Sequence, residues 1–166
     1  MRDGGARRRR FSCAAALRSG AHSRTVARTA TRALAASSSV ISATCHCGAI
    51  RIDIPSPPLA ATNCNCTICR RLGALWAFYP IDAVHIECAP DATEAYSWAQ
   101  RTRRFVRCRH CGCTTHVEPT QRTETSKIEV NVRLFDPQAL GHFRVRPFDG
   151  ADSWRYLDDA PHGGGD

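Results

Sequence analysis

At 166 residues the chain suits one domain with modest appendages. Its net charge of +8 points toward nucleic acid until the charge is located: residues 1–40 hold nine arginines and one acid, and the 14 basic and 14 acidic residues that follow cancel. A folded part without excess positive charge lacks the electrostatic footprint of nucleic-acid binding, so nucleic acid is not an expected partner.

Ten cysteines would suit a secreted disulfide scaffold, but seven of them have metal-ligand spacings and no apolar signal core of adequate length precedes them. No run approaches the roughly 20 apolar residues of a membrane span, so no membrane partner is expected. The expected setting is cytoplasmic, with mitochondrial import as the alternative if the arginine-rich N-terminus is a transit peptide.

Residues 1–41 read as a disordered Arg/Ala/Ser-rich extension. Arg7 to Arg10, then Arg18, Arg24, Arg28 and Arg32, stand among serines and alanines with little apolar content to bury. The stretch is similar to a transit peptide, and Ala14-Ala15-Ala16-Leu17 is too short for the core of a twin-arginine signal. A third reading starts translation near Val40 and makes the extension dispensable. Cys13 is expected to be an unpaired bystander. The domain is expected over 42–157, with a flexible tail over 158–166.

Within the domain, Ala49 to Ile54 alternates apolar and charged residues, the period of a half-buried strand, and Pro55-Ser56-Pro57-Pro58 ends it. A loop then delivers Asn63 and the next cysteines. Ala74 to Tyr79 is aromatic-rich and stopped by Pro80, and Ala83 to Glu87 and Glu94 to Trp98 read as further short strands. Arg104 to Arg107, Thr114 to Glu118, Lys127 to Leu134 and Phe143 to Arg146 complete the extended segments, with Ile128, Val130 and Val132 on one face. Asp136 to Leu140 reads as one helical turn capped by Asp136, with Pro137 at its first position. No segment is long and periodic enough for a substantial helix. The fold class is therefore mainly β, a small domain of short strands punctuated by proline, glycine and cysteine turns.

The cysteines carry the chemistry. Cys45-His46-Cys47-Gly48 and Cys108-Arg109-His110-Cys111-Gly112 share a glycine after the second cysteine, where the chain of a zinc knuckle reverses with its N–H groups toward the sulfurs. Two matched knuckles make a four-sulfur structural zinc site from Cys45, Cys47, Cys108 and Cys111. The central run Cys64-Asn65-Cys66-Thr67-Ile68-Cys69 then offers three sulfurs. Cys113, His110 or His116 could supply a fourth ligand and close the site. With no fourth ligand, three thiolates leave a zinc open to substrate. Both outcomes stand open on the residues alone. Cys88 reads as a small apolar filler, and His85 and His142 as packed or surface residues.

With those residues in place, the chain resembles the glutathione-dependent formaldehyde-activating enzyme (GFA), or centromere-protein-V-like, family. The resemblance rests on Cys45 to Ile50, Cys64 to Ala74, Cys108 to His116, Asn131 to Pro137 and Phe148 to Asp152, and spans roughly 42–157. It implies an Mss4-like (β-tent) fold of short antiparallel sheets with two Zn2+ per chain. Cys45, Cys47, Cys108 and Cys111 would hold the structural zinc. Cys64, Cys66 and Cys69 would hold the catalytic one, open to a thiol adduct. The implied activity is that of a carbon–sulfur lyase, joining formaldehyde to glutathione as S-hydroxymethylglutathione, with a small-molecule thiol–aldehyde adduct as partner. The competing reading is a non-catalytic zinc module that binds another macromolecule. Arg70 and Arg71 either meet a substrate carboxylate or are solvated surface residues. The oligomeric state is left open.

Overall fold

The computed structural model describes residues 40–159. The arginine run, Cys13 and the glycine run 163–165 lie outside the described residues. Ten strands are described: β1 (Ile41–Thr44), β2 (Ile50–Ile54), β3 (Ala60–Cys64), β4 (Trp76–Pro80), β5 (His85–Cys88), β6 (Thr93–Tyr96), β7 (Arg103–Cys108), β8 (Thr114–Pro119), β9 (Lys127–Asn131) and β10 (Arg144–Phe148). Two single-turn helices join them, α1 (Cys69–Leu72) and α2 (Pro137–Leu140). The mainly β reading holds.

The strands form a three-stranded sheet in the order β1-β2-β5 and a seven-stranded sheet in the order β10-β3-β4-β9-β8-β7-β6. Every pairing is antiparallel except β3 with β10, which is parallel and in register from Arg144 opposite Ala60 to Phe148 opposite Cys64. β10 is an edge strand, which is where Pro147 is tolerated without costing the sheet a hydrogen bond. α2 begins as the sequence predicts: Asp136 accepts from Gln138 N–H at its cap, with Pro137 in the first turn.

The alternating β2 places Ile50, Ile52 and Ile54 inward, all at 0% exposure, where each contributes about 1.5–3 kcal/mol of burial. They pack with Ala61, Ala77, Tyr79, Ile128 and Val130, the inward side chains of the large sheet. The small sheet therefore covers one face of the large sheet. Because side chains alternate across a strand, the opposite face carries the intervening residues. Phe78, Glu129, Val117 and Phe105 stand side by side there across β4, β9, β8 and β7. That uncovered face positions the candidate site.

Two strands were not legible in the sequence. β1 opens at Ile41, inside the stretch assigned to the extension, and β3 occupies what reads as a loop. Ala60-Ala61-Thr62-Asn63-Cys64 has no apolar alternation, and its extension comes from pairing with β4 and β10. At the other end, Arg146 holds Asp158 through its Nε and Nη2 at 3.0–3.2 Å and also pairs with Asp159, tying the last described turn back to β10.

Candidate metal centres and the cavity beside them

The first knuckle is the tip of the β1–β2 hairpin, and the second is the tip of β7–β8. The two turns are built alike. Gly48 N–H donates to Cys45 O and Gly112 N–H to Cys108 O, both at 2.9 Å, with φ of 77° and 75° at the two glycines. Both values are left-handed, where a side chain is disfavoured. The sulfurs of Cys45, Cys47, Cys108 and Cys111 all lie within 4.8 Å of one another. Cys47 stands 3.6 Å from Cys45 and from Cys108, and a tetrahedron of sulfurs about 2.3 Å from a zinc has edges of roughly 3.8 Å. The donor set and its spacing thus fit a closed metal site that fastens the small sheet to the large one. The N–H of Cys113 chiefly, with that of Cys47 and the neighbouring thiols, pulls Cys111 down to about 5, whereas at Cys47 the Ala49 N–H is outweighed by desolvation and the thiols of Cys108, Cys45 and Cys111, which push it up to about 12.

The second group is built over one turn. Cys64 ends β3, Cys66 follows in the bend, and Cys69 opens α1, which Gly73 closes at φ 62° with its N–H on Cys69 O. The three sulfurs also lie within 4.8 Å of one another, and among the described residues no fourth cysteine, histidine or carboxylate joins them. Burial raises Cys64 and Cys69. At Cys66 burial opposes ionisation, yet the Cys69 N–H and the S–H groups of Cys64 and Cys69 bring its pKa below the ordinary value. The indole of the buried Trp76 donates its Nε1–H to Cys69 Sγ at 3.2 Å. Nothing short of the fold announces that contact, because Trp76 belongs to the next strand.

The candidates for a fourth ligand sit elsewhere. Cys113 lies beside the knuckles, with its thiol on the N–H of His46 and against Cys111. His110 is exposed. His116 is 5% exposed, with Nδ1 3.0 Å from Thr115 Oγ1, and it pairs across the sheet with Val106 and Val130 on the face away from Val117. Burial first, then Arg104 and Arg122, lower its pKa to about 4, so it is neutral near pH 7. His85 and His142 are exposed, and Cys88 packs half-buried against the main core. Arg70 and Arg71 are exposed on α1, and Arg71 Nη1 bonds Thr67 O at 2.6 Å. Neither lines the cavity described next, which is the arrangement of solvated surface residues.

Cys64, Cys66 and Cys69 form part of the wall of a cavity of about 540 Å³ on the uncovered face of the large sheet. Its other wall residues include Phe78, Phe105, Val117 and Glu129 from the strands, Trp98 to Gln100 from the β6–β7 connection, Phe148 at the end of β10, and Gly150, Trp154 and Tyr156 from the chain after it. The last segment is clamped onto the cysteine turn by Asn65. Its Nδ2 donates to Asp149 Oδ1 and its Oδ1 accepts from Ala151 N–H, both at 2.9 Å, while its own N–H reaches Phe148 O at 3.1 Å. Donors from Ser153, then Asn65, hold Asp149 down to about 2. Gly150 passes so close that a Cβ there would fall 2.5 Å from Cys64 Sγ. Glu129 is raised by burial, an effect that its 2.7 Å pair with Arg103 offsets only partly.

Fold and site together define a mainly β protein with two cysteine groups able to hold a metal, one of them enclosed by four sulfurs and one lining a cavity. Its residues 40–147 match the family model described as glutathione-dependent formaldehyde-activating enzyme. The chain belongs to that family. A crystal structure of a Rhodobacter sphaeroides protein is similar at 29% identity, with a TM-score of 0.49, covering 63% of this chain and 99% of that one.

Proposed function

We propose that the chain is a zinc-dependent enzyme of carbon–sulfur lyase type acting on thiol–aldehyde adducts of the S-hydroxymethylglutathione kind. Cys45, Cys47, Cys108 and Cys111 would hold a structural zinc, and Cys64, Cys66 and Cys69 a second zinc. The observation that carries the reading is the set of three sulfurs with no fourth ligand among the described residues, set in a cavity wall. A zinc held there would supply a Lewis acid and favour the thiolate form of a substrate thiol near neutral pH.

The chain's own residues do the rest. Trp76 fixes Cys69 and draws charge from its sulfur, which leaves the ligand set less electron-rich. The aromatic walls hold water back from an aldehyde that solvent would otherwise hydrate. Asn65 keeps the 148–156 segment over the cysteines. In the joining direction sulfur attacks the carbonyl carbon, the C=O π pair moves to oxygen, and the proton from the thiol completes the hydroxyl. The lyase direction reverses each movement.

Zinc analysis with X-ray absorption on the purified chain, alongside Cys66→Ser, tests this. Two zincs averaging between three and four sulfurs, with a light-atom ligand present, are expected. Cys66→Ser is expected to lose one zinc and the release of formaldehyde from S-hydroxymethylglutathione while melting cooperatively. One zinc after zinc is added back, or two with four sulfurs each, would overturn the reading in favour of a non-catalytic module.

A further inference from the structure

All three tryptophans of the chain, Trp76, Trp98 and Trp154, line the one cavity beside the three cysteines, together with Phe78, Phe105 and Phe148. Trp76 and Phe105 meet edge to face at 6.3 Å, and Phe148 meets Trp154 and Tyr156 in the same manner at 5.9 and 5.0 Å. Edge-to-face pairs hold rings at angles that leave faces and edges for another ring. The cavity's volume of about 540 Å³ falls in the roughly 300–1,000 Å³ range of small-ligand sites.

The lining offers few charges to the ionic groups of a substrate thiol, which would have to stay in water. Arg103 and Glu129 are the charged side chains among the described lining residues, and they neutralise each other at 2.7 Å. Glutathione brings two carboxylates and an ammonium, each of which needs a partner once it leaves water. A ring needs none.

The mouth is also shaped at a cost to the backbone. Ala99 and Trp154 line the cavity, and Arg101 lies between lining residues Gln100 and Thr102. All three have φ between 50° and 56°, the left-handed region that side chains disfavour. Strain of this kind persists where the surrounding structure imposes it, and it gathers at ligand sites.

We infer that the adduct handled here carries an aromatic group, an aryl or benzylic thiol–aldehyde adduct seated between the Trp98 and Trp154 sides of the cavity with its sulfur toward Cys64, Cys66 and Cys69. This rests on the open-zinc reading above. The test titrates benzyl mercaptan, benzyl alcohol and glutathione into the zinc-loaded full chain. Binding is read by calorimetry and by tryptophan fluorescence, which here reports only on the cavity because every tryptophan lines it. Benzyl mercaptan is expected to bind at least about tenfold more tightly than glutathione, the scale of a ring-on-ring contact plus its buried area, and Trp98→Ala to remove about tenfold of that affinity without changing glutathione. Glutathione binding as tightly as benzyl mercaptan, or Trp98→Ala weakening both alike, would overturn the aromatic preference and leave the open zinc standing. Equal binding of benzyl alcohol and benzyl mercaptan would overturn the open zinc and uphold the preference for a ring.

Discussion

Gly150→Ala separates the three-cysteine group from everything else in the fold. The added methyl carbon falls 2.5 Å from Cys64 Sγ and 3.3 Å from Cys66 Cβ, whereas non-bonded carbon and sulfur settle at about 3.5–4.0 Å. The overlap at Cys64 is therefore on the order of 1 Å. Gly150 is not among the glycines with positive φ, so alanine meets no backbone strain and the clash acts alone. Relief has two routes. Either the segment lifts and breaks the Asn65 bonds to Asp149 and Ala151, or Cys64 Sγ turns away from Cys66 and Cys69. Both disturb the three-sulfur geometry and leave the knuckles alone. The expected outcome is a fall in affinity for the second zinc of about 10- to 100-fold, the range for losing the support around a metal ligand. The first zinc and the cooperative melt should persist. Competition against a chromophoric chelator, with zinc counted at each step, measures this. Wild-type affinity for both zincs in Gly150→Ala would refute the argument, because it would mean the segment does not press on Cys64. Gly112→Ala is the matched control. Its Cβ meets nothing within 4 Å but its φ is 75°, so it should cost about 1–2 kcal/mol of stability and leave the second zinc unchanged.

Three further outcomes follow from the same geometry. Cys108→Ser should abolish the cooperative melt, since the four-sulfur group joins the hairpins of the two sheets and structural metal binding is folding free energy; circular dichroism reads the loss. His116 has a depressed folded-state pKa, so its contribution is fully present above about pH 6.5 and is lost as pH falls toward 4. Between pH 7 and 5 the wild type should lose about 2 kcal/mol more stability than His116→Gln. Urea unfolding at both pH values checks it, with the shared thiol contribution cancelling in the difference. Graded chelation should remove the zinc at Cys64, Cys66 and Cys69 first and the knuckle zinc last, with near-ultraviolet dichroism of Trp76 changing in the first step and secondary structure only in the second.

Local signals in the sequence served well where neighbours in the chain are also neighbours in space. β2 and β9 alternate because each has one buried face, and both were legible, as was the Asp136 cap with Pro137 behind it. β3 was not, since Ala60 to Cys64 becomes a strand only through partners 14 or more residues away. Trp98 reads as the end of a strand and instead leaves β6 to form a cavity wall, because the connection turns through Ala99 and Arg101 in left-handed backbone.

Spacing alone determined which cysteines gather. C-x-C and C-x-x-C turns aim their sulfurs at one point whatever lies around them, and the glycine after each knuckle marks the reversal. The sequence therefore divided seven sulfurs into four and three. Whether the three stand open was a tertiary matter. Cys113, His110 and His116 all lie in or close to the second knuckle, and the fold keeps each from the group: Cys113 turns to the His46 N–H, His110 is exposed, and the register of β8 puts His116 on the face away from Val117. The cavity was likewise out of reach of any local reading. Its walls come from six strands of the large sheet, the cysteine turn and two further segments some fifty residues apart in the chain, and a surface assembled from distant pieces leaves no period in any one of them.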